Sequence, residues 1–368
     1  MKVVCLTENL KKYFNAAERI LGKNQTLPIL SNFLLATDKK MLKISATNLE
    51  IGLEGWINCK IEKEGSVSVP GRLLTNLINN LPEEKVVLEE KNTSLLIQSK
   101  NYKSTLNGLD PSEFPLIPKI ENSQNIKLEA EALRNGILDV INAASIIDSR
   151  VEINTIFLKI KKNEVRIVAT DSFRLAEKKL TIKPPPEQLV EASLLIPLRT
   201  AYELTKILEA RSAVKIHFNK NQALFETEDI ELFSRLVEGS FPDYEQIIPQ
   251  KYTTQLSINR NDFVNTVKVT SLFSSKINDV KLHIDPDQKE IEMISSQSDR
   301  GEAATKLEAS IEGERQDIIF NYHYLLDGLA NIKSNEVIFE LSGEASPAVL
   351  RPTSSDGYFY LIMPIKNF

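Results

Sequence analysis

The sequence predicts an α+β chain of three repeated domains, each with two helices packed on antiparallel sheets. The first observation behind this is one apolar phrase written three times. Val69-Pro70-Gly71-Arg72-Leu73-Leu74-Thr75-Asn76-Leu77-Ile78 runs from a strand end through a proline into a helix with its leucines on one face. Ile196-Pro197-Leu198-Arg199-Thr200-Ala201-Tyr202-Glu203-Leu204 repeats it, and Phe320-Asn321-Tyr322-His323-Tyr324-Leu325-Leu326-Asp327-Gly328-Leu329 repeats it without the proline. Pro70 and Pro197 lie 127 residues apart, and Pro197 and Asn321 lie 124 apart. The second observation is an independent marker, a strand pattern running into a polar turn at Thr47, Thr170 and Ser296, with spacings of 123 and 126. Two unrelated markers at one period mean a triplicated unit of ordinary domain size, too long for a solenoid repeat. The third is a hydrophobic period that switches between 3.6 and 2 inside each third.

The helical period places Leu10, Phe14, Ala17 and Leu21 on one face, with Lys11, Lys12, Asn15 and Arg19 elsewhere. Leu133, Ile137, Ile141 and Ala144 form the corresponding face in the second third, and Phe263, Val267 and Ser271 in the last. Strands are expected at Ser66 to Val69, Lys85 to Leu88, Leu95 to Gln98, Val165 to Val168, Val214 to Phe218, Ala223 to Thr227 and Val337 to Leu341. Their shortness and turn-residue spacing suit antiparallel meanders. Proline-bearing linkers, Pro111-Ser112-Glu113-Phe114-Pro115-Leu116-Ile117-Pro118 and Phe241-Pro242-Asp243-Tyr244-Glu245-Gln246-Ile247-Ile248-Pro249, hold the chain extended between repeats. The domains are therefore expected at 1–122, 123–252 and 253–368. Pro184-Pro185-Pro186 marks a surface loop within the second.

A chain of 368 residues with 42% hydrophobic and 26% charged residues is an ordinary globular protein. Met1 to Lys12 mixes apolar residues with Glu8, Lys11 and Lys12, so no signal peptide or membrane span is expected and the location reads as cytoplasmic. Cys5 and Cys59 read as buried, reduced thiols. A net charge of −5 excludes a surface that grips nucleic acid all round, while leaving room for a local basic face.

Catalytic signatures are absent: the sequence contains no Gly-rich phosphate loop, CxxC or HExxH. His217, His283 and His323 carry no metal-ligand spacing, and Asp285-Pro286-Asp287-Gln288-Lys289-Glu290 lacks the central glycine of a calcium loop and reads as a polar hairpin tip. No metal or cofactor is expected. Two strings remain unusual. In Thr170-Asp171-Ser172-Phe173-Arg174-Leu175-Ala176, Phe173 and Leu175 are apolar in a turn where polar residues would serve, and Arg174 could brace a neighbouring segment. The apolar ending Leu361-Ile362-Met363-Pro364-Ile365-Lys366-Asn367-Phe368 must dock on something.

Taken with the triplication, Thr26-Leu27-Pro28-Ile29-Leu30, the Ala169 to Ala176 string, Phe241-Pro242-Asp243-Tyr244 and Met363-Pro364-Ile365 resemble the bacterial DNA sliding clamps, the beta subunits of DNA polymerase III, over the whole chain. The resemblance implies three clamp-type domains per chain and a ring formed by a head-to-tail homodimer around duplex DNA, bound without sequence specificity. It also implies a processivity factor without catalytic residues. Its expected partners are the replicative polymerase alpha subunit, the clamp loader, other polymerases and mismatch-repair proteins.

Residue by residue, the family's partner-peptide cleft falls on Ile153, Thr170, Ser172, Phe173, Arg174, Leu175, Pro242, Ile247, Ser346, Ile362, Met363, Pro364 and Ile365, with the apolar turn and the tail expected to face each other across it. DNA-facing positions are Lys11, Lys12, Arg19, Lys23, Arg72, Arg134, Arg199, Lys206 and Lys268, and acidic stretches such as Glu83-Glu84, Glu89-Glu90 and Glu308 to Glu314 suit an outer rim. Lys103, Leu106, Leu272 and Lys276 mark the expected dimer contact, an edge-to-edge sheet pairing. Phe173 stands where relatives often carry a smaller or polar residue, Gln246 where a basic one is common and Asn24 where some relatives contact DNA; the tail runs on through Asn367-Phe368. Two rival readings are an enzyme using the Thr170 to Arg174 turn and a monomeric DNA-binding scaffold of the same fold without ring closure.

Overall fold

The computed structural model describes residues 1–22, 26–82, 84–121, 123–145, 150–183, 191–209, 211–354 and 357–366. Lys23, Asn24, Glu83, the Pro184 to Pro186 loop and Asn367-Phe368 lie outside the described residues.

One order of elements recurs three times, with one strand fewer described in the second run. The first run is β1 (Lys2–Leu6), α1 (Thr7–Glu18), β2 (Asn32–Asp38), β3 (Met41–Thr47), β4 (Ile51–Ile57), β5 (Lys60–Lys63), β6 (Ser66–Pro70), α2 (Gly71–Asn79), β7 (Lys85–Lys91), β8 (Ser94–Ser99) and β9 (Tyr102–Asn107). The second is β10 (Gln124–Glu129), α3 (Ala130–Ile141), β11 (Thr155–Ile160), β12 (Glu164–Thr170), β13 (Arg174–Thr181), β14 (Ala192–Pro197), α4 (Leu198–Ile207), β15 (Ala213–Phe218), β16 (Gln222–Glu226) and β17 (Ile230–Arg235). The third is β18 (Thr254–Asn259), α5 (Arg260–Thr270), β19 (Asp279–Asp285), β20 (Glu290–Gln297), β21 (Gly301–Glu308), β22 (Ser310–Gly313), β23 (Gln316–Asn321), α6 (Tyr322–Ala330), β24 (Glu336–Leu341), β25 (Ala348–Pro352) and β26 (Tyr358–Ile362). Six of the seven strand runs expected from the sequence fall wholly in strands and the seventh does so up to Glu226, with Thr227 just beyond β16, and each third carries its pair of helices. Ala144 lies past the end of α3, and Ser271 opens a single 3₁₀ turn after α5.

Apolar spacing selects the buried helix face: Leu10, Phe14 and Ala17 of α1 are fully buried, as are Leu133 and Ile137 of α3 and Phe263 and Val267 of α5. The third copy of the helix phrase replaces proline with Asn321, whose side chain caps α6 by accepting the His323 N–H at 3.0 Å. Gly328 inside α6 is explained by packing, because a Cβ there would come within 2.5 Å of the Tyr360 ring.

The chain forms two compact units. Residues 1–134 and 199–236 make one, and 135–198 with 237–368 make the other. Every strand pairing is antiparallel. The first unit holds a five-stranded sheet ordered β5-β1-β7-β8-β9 and an eight-stranded sheet ordered β10-β15-β16-β17-β4-β3-β2-β6. The second holds a nine-stranded sheet ordered β14-β11-β12-β13-β26-β25-β24-β18-β22 and a four-stranded sheet ordered β21-β20-β19-β23. Compact units and repeats do not coincide, because two sheets run across repeat junctions, one through β17 with β4 and the other through β26 with β13.

The eight-stranded sheet carries three like charges in a row. Glu226 lies opposite Glu231, and Glu231 opposite Glu54. Burial pushes the Glu231 carboxyl above the usual range and the two neighbouring carboxylates push it further, with Lys39 and His217 pulling back. A raised folded-state value means that ionised Glu231 opposes folding above that value and costs nothing once both states are protonated. Glu231→Gln is therefore expected to stabilise the protein at pH 7.5 by up to about 1 kcal/mol. The gain should fade as pH drops through the carboxylate range, as read by urea midpoints at the two extremes.

Candidate functional site

The Thr170 to Arg174 turn is wired by its own side chains. Thr170 donates its hydroxyl to the Arg174 carbonyl at 2.7 Å and accepts the Ser172 N–H at 3.1 Å. Asp171 accepts the N–H groups of Phe173 at 2.9 Å and Arg174 at 3.0 Å. Ser172 takes the left-handed conformation with φ of 76°, and its hydroxyl accepts from Arg150 at 2.8 Å. The tip so formed presents Phe173 with 61% of its surface exposed.

The first repeat builds the same turn from different residues. Thr47 donates to the Ile51 carbonyl at 2.9 Å and accepts from Leu49 N–H at 3.0 Å, while Asn48 accepts from Glu50 and Ile51 at 3.0 and 2.8 Å. Leu49 has φ of 77°, matching Ser172. There the adjoining Gly52 is covered by the chain's own linker, with Ile117 so close that a Cβ on the glycine would meet it at 3.0 Å. Gly52 corresponds to Leu175 and Ile117 to Tyr244, and in the second repeat these two are again buried in one apolar cluster, while Pro242 and Ile247 of the same linker are exposed.

The tail does not face this turn across a cleft, as the sequence reading had it; the two lie side by side. β13 pairs with β26, setting Arg174 opposite Ile362 and Leu175 opposite Leu361. The ladder continues past the strand end, where Met363 N–H donates to the Phe173 carbonyl at 2.8 Å. Ile365 N–H then donates to Ile319 of β23 at 2.8 Å, which anchors the tail. Backbone hydrogen bonding is the physical reason, since an apolar end next to an open strand edge satisfies its amides by joining it.

Of the expected cleft residues, Ile153 and Ile362 are fully buried, Leu175 is 1% exposed, and Thr170 and Pro364 are also buried. These five would lie at the floor of the expected cleft. Surface remains on Ser172, Phe173, Pro242 and Ile247, and in part on Arg174, Ser346, Met363 and Ile365. Phe157, Val168, Leu175, Leu195, Tyr244, Val349, Phe359 and Leu361 form one apolar cluster with Phe241, Ile248 and Met363 packed against it. Phe157 and Phe241 stack with ring centroids 4.6 Å apart.

Arg174 is a brace. It donates from Nε to Asp171 at 2.9 Å and from a terminal nitrogen to Asp327 on α6, and its guanidinium lies 4.3 Å from the centre of the Tyr324 ring. Tyr244 pins the linker by donating to Glu177, a carboxylate only 1% exposed. Burial, then the Glu177 carboxylate, push the Tyr244 hydroxyl far above its ordinary value. Glu245 is held ionised below the usual range, first by its hydrogen bond from Lys159 and then by the charge of Arg166.

Sequence reasoning missed Asp327, Tyr324, Glu177 and Arg150. One signal existed, because Asn76, Glu203 and Asp327 occupy the same step of the repeated helix phrase and all are polar. Two of them take an arginine: Asp327 holds Arg174, and Glu203 holds Arg19 at 3.2 Å.

The basic residues expected to face DNA divide by structural duty. Arg19, Arg72 and Arg199 line one open depression in the first unit together with Glu18 and Leu21. Glu203 lies beside them; burial raises its carboxyl, and Arg19, Arg199 and Lys206 pull it back down. Arg72, Lys206 and Lys268 are exposed. Lys11 donates instead to the Leu81 carbonyl at 3.1 Å, Arg134 to the Thr205 carbonyl at 2.9 Å, and Lys12 pairs with Asp229 at 3.3 Å. The third repeat does the same with Arg260, which donates to the Leu329 carbonyl at 2.9 Å. In each repeat a cation on the first helix thus satisfies carbonyls at or near the end of the second, where the helix dipole favours it.

Of the residues expected at a dimer contact, Lys103 is exposed on β9, the outer strand of the five-stranded sheet, and Leu106 points inward and is buried. Leu272, 66% exposed, and Lys276 follow α5, close in sequence to the exposed Ile277. β21 is the outer strand of the four-stranded sheet, and neither β9 nor β21 has a partner on its free side among the described residues. Among the described residues no group of His, Cys, Asp or Glu could hold a metal, and no helix is long and apolar enough to cross a membrane.

Comparison with known proteins matches this architecture throughout. Residues 1–118, 127–243 and 245–366 match the N-terminal, central and C-terminal domain models of the DNA polymerase III beta subunit. The beta sliding clamp of Staphylococcus epidermidis is 30% identical over 365 residues, covering 96% of each chain, and that of Synechococcus elongatus is 26% identical over 100% of this chain and 99% of its own. Among solved structures, the Thermotoga maritima beta subunit superposes with a TM-score of 0.93 at 28% identity, covering 100% of both chains. A Pseudomonas aeruginosa sliding clamp bound to griselimycin superposes with a TM-score of 0.95 at 26% identity, again over 100% of both. The chain belongs to the DNA sliding clamp family, the beta subunits of DNA polymerase III, and is a protein of DNA replication.

Removing the Tyr244 hydroxyl leaves the buried Glu177 short of a donor. Tyr244→Phe is expected to lower unfolding stability by about 1–3 kcal/mol in urea titrations, with the fold retained by circular dichroism.

Proposed function

We propose that two copies of this chain close head to tail into a ring around duplex DNA and serve as the processivity factor of the replicative polymerase. The observation that carries this reading is a pairing rule. The last strand of the second repeat, β17, pairs with β4 of the first, and the last strand of the third, β26, pairs with β13 of the second. β4, β13 and β21 hold the same place in their repeats. By the same rule, the last strand of the first repeat, β9, calls for β21, and each has one free side among the described residues. A second copy supplies each missing partner, and the symmetry of the pair satisfies both edges at once.

In such a ring Arg19, Arg72, Arg199, Lys206 and Lys268 act on phosphates through water, without reading bases. Charges are screened within about 8 Å at physiological salt, so this attraction is weak and sliding remains easy. Retention comes from closure. The protein carries no bond-making chemistry, and a cytoplasmic location fits replication. Loaded protein is expected to stay on a closed circular duplex and to run off once the circle is cut, as measured by gel filtration of the DNA-bound fraction. Equal loss from both forms rules out topological linkage.

Polymerases, the clamp loader and repair proteins dock by short linear peptides on the Phe173, Pro242, Ile247 and Met363 surface. Two or three buried Leu or Phe anchors are worth roughly 1.5–3 kcal/mol each, against ordering costs of at least about 4 kcal/mol. Binding is therefore weak and partners exchange. Phe173→Ala is expected to weaken capture of a fluorescent peptide bearing Leu and Phe anchors by about tenfold, matching loss of roughly 1.4 kcal/mol of apolar contact. An unchanged affinity places the anchors elsewhere.

A further inference from the structure

The chain contains two cysteines, and the fold brings them together. Cys5 is the fourth residue of β1, and Cys59 immediately precedes β5. Along these strands Val3 lies opposite Ile61 and Val4 opposite Lys60. One further step in the same antiparallel register sets Cys5 opposite Cys59. Opposed residues in an antiparallel pair point to the same face with Cα atoms about 4.5–5.5 Å apart, inside the range a disulfide needs. Both thiols are free, Cys5 buried and Cys59 partly exposed.

The two sulfurs are also unequal. A hydrogen bond between the thiols, reinforced by burial, pushes Cys5 well above its ordinary value. The same bond pulls Cys59 down, and the Leu42 backbone adds to that pull against its partial burial. An accessible, more acidic sulfur beside a buried one is the division between an attacking and a resolving thiol.

We propose that Cys5 and Cys59 are a reversible dithiol–disulfide site, oxidised to a cross-strand disulfide by low-molecular-weight disulfides of the glutathione type. The Cys59 thiolate attacks one sulfur of the small disulfide, breaking its S–S bond and releasing one thiolate. The Cys5 sulfur, its proton passing to solvent, then attacks Cys59 Sγ and displaces the second. Two protein thiols are oxidised, one small disulfide is reduced to two thiols, and the two protons lost by the cysteines end on those thiols.

The bridge acts at the least secured edge of the five-stranded sheet. Among the described residues β5 pairs only with β1, through three residue pairs and a register shift at Lys2 and Val3, and most of it is exposed. A covalent link there pins β5 and closes the segment from Cys5 to Cys59, which contains α1 and its Lys11, Lys12 and Arg19. Thr7, the first residue of α1, follows Cys5 by two positions.

The full-length protein incubated with oxidised glutathione tests this. Titratable thiols are expected to fall from two to none, the intact mass to drop by two hydrogen atoms with no adduct, and peptide mapping to join Cys5 to Cys59 within one chain. The thermal midpoint should rise by several degrees and return with dithiothreitol. Cys5→Ser is expected to hold one stable glutathione on Cys59, and Cys59→Ser to take up none. Wild-type protein that keeps both thiols, accumulates a stable glutathione on Cys59 or links two chains overturns the proposal.

Discussion

A strand edge carries a row of amide and carbonyl groups that must be hydrogen-bonded by something, and in this chain that requirement organises everything else. Two of its four sheets extend across repeat junctions by joining the last strand of one repeat to an inner strand of the one before, Leu232 opposite Leu53 in one case and Leu175 opposite Leu361 in the other. The other two sheets stop short, with β9 and β21 each closing one side only. A chain of three such repeats therefore ends with one donor edge and one acceptor edge. Exposed Tyr102 lies on β9 itself, and exposed Leu272 lies in the short turn after α5 that contacts β21.

The same joining of strands builds the surface proposed for peptides. Because β26 docks along β13, the tail is held by backbone bonds and needs few side chains for its anchorage. The apolar residues there are released to serve as floor and rim. Arg174 ties the tip to α6 through Asp327 and Tyr324, and Tyr244 ties the linker to Glu177, so both sides of the proposed surface are braced within the chain. Preformed sites lower the ordering cost of binding, which matters when few anchors are buried. In the first repeat the identical turn, with Leu49 in place of Ser172, adjoins a glycine covered by Ile117. Duplication thus supplied two geometrically matched turns, each beside a packed linker residue, Ile117 in the first repeat and buried Tyr244 in the second.

Much of this was legible in the sequence because repetition is a strong signal. The helix phrase at Pro70, Pro197 and Asn321 located α2, α4 and α6, and the Thr47 and Thr170 markers located turns whose hydrogen bonds proved identical. Alternation of apolar residues found the strands, since burial on one face is a local property of sequence. What stayed hidden depends on register and on distant partners. Periodicity cannot show that Arg174 reaches Asp327, that Lys11 and Arg134 satisfy helix carbonyls, or that β1 and β5, the strands at Cys5 and Cys59, pair with each other. The apolar tail was recognised as a docking element, but its place beside Phe173 follows from backbone hydrogen bonds, which leave no mark on residue identity.

Whether the open edges find each other in a second copy is the point on which the ring stands, and mass in solution answers it most directly. Sedimentation equilibrium of the purified chain at micromolar concentration should give a particle of twice 41.5 kDa, with no growth into longer chains as concentration rises. A species that remains at 41.5 kDa, or an open-ended series of larger oligomers, contradicts a closed pair.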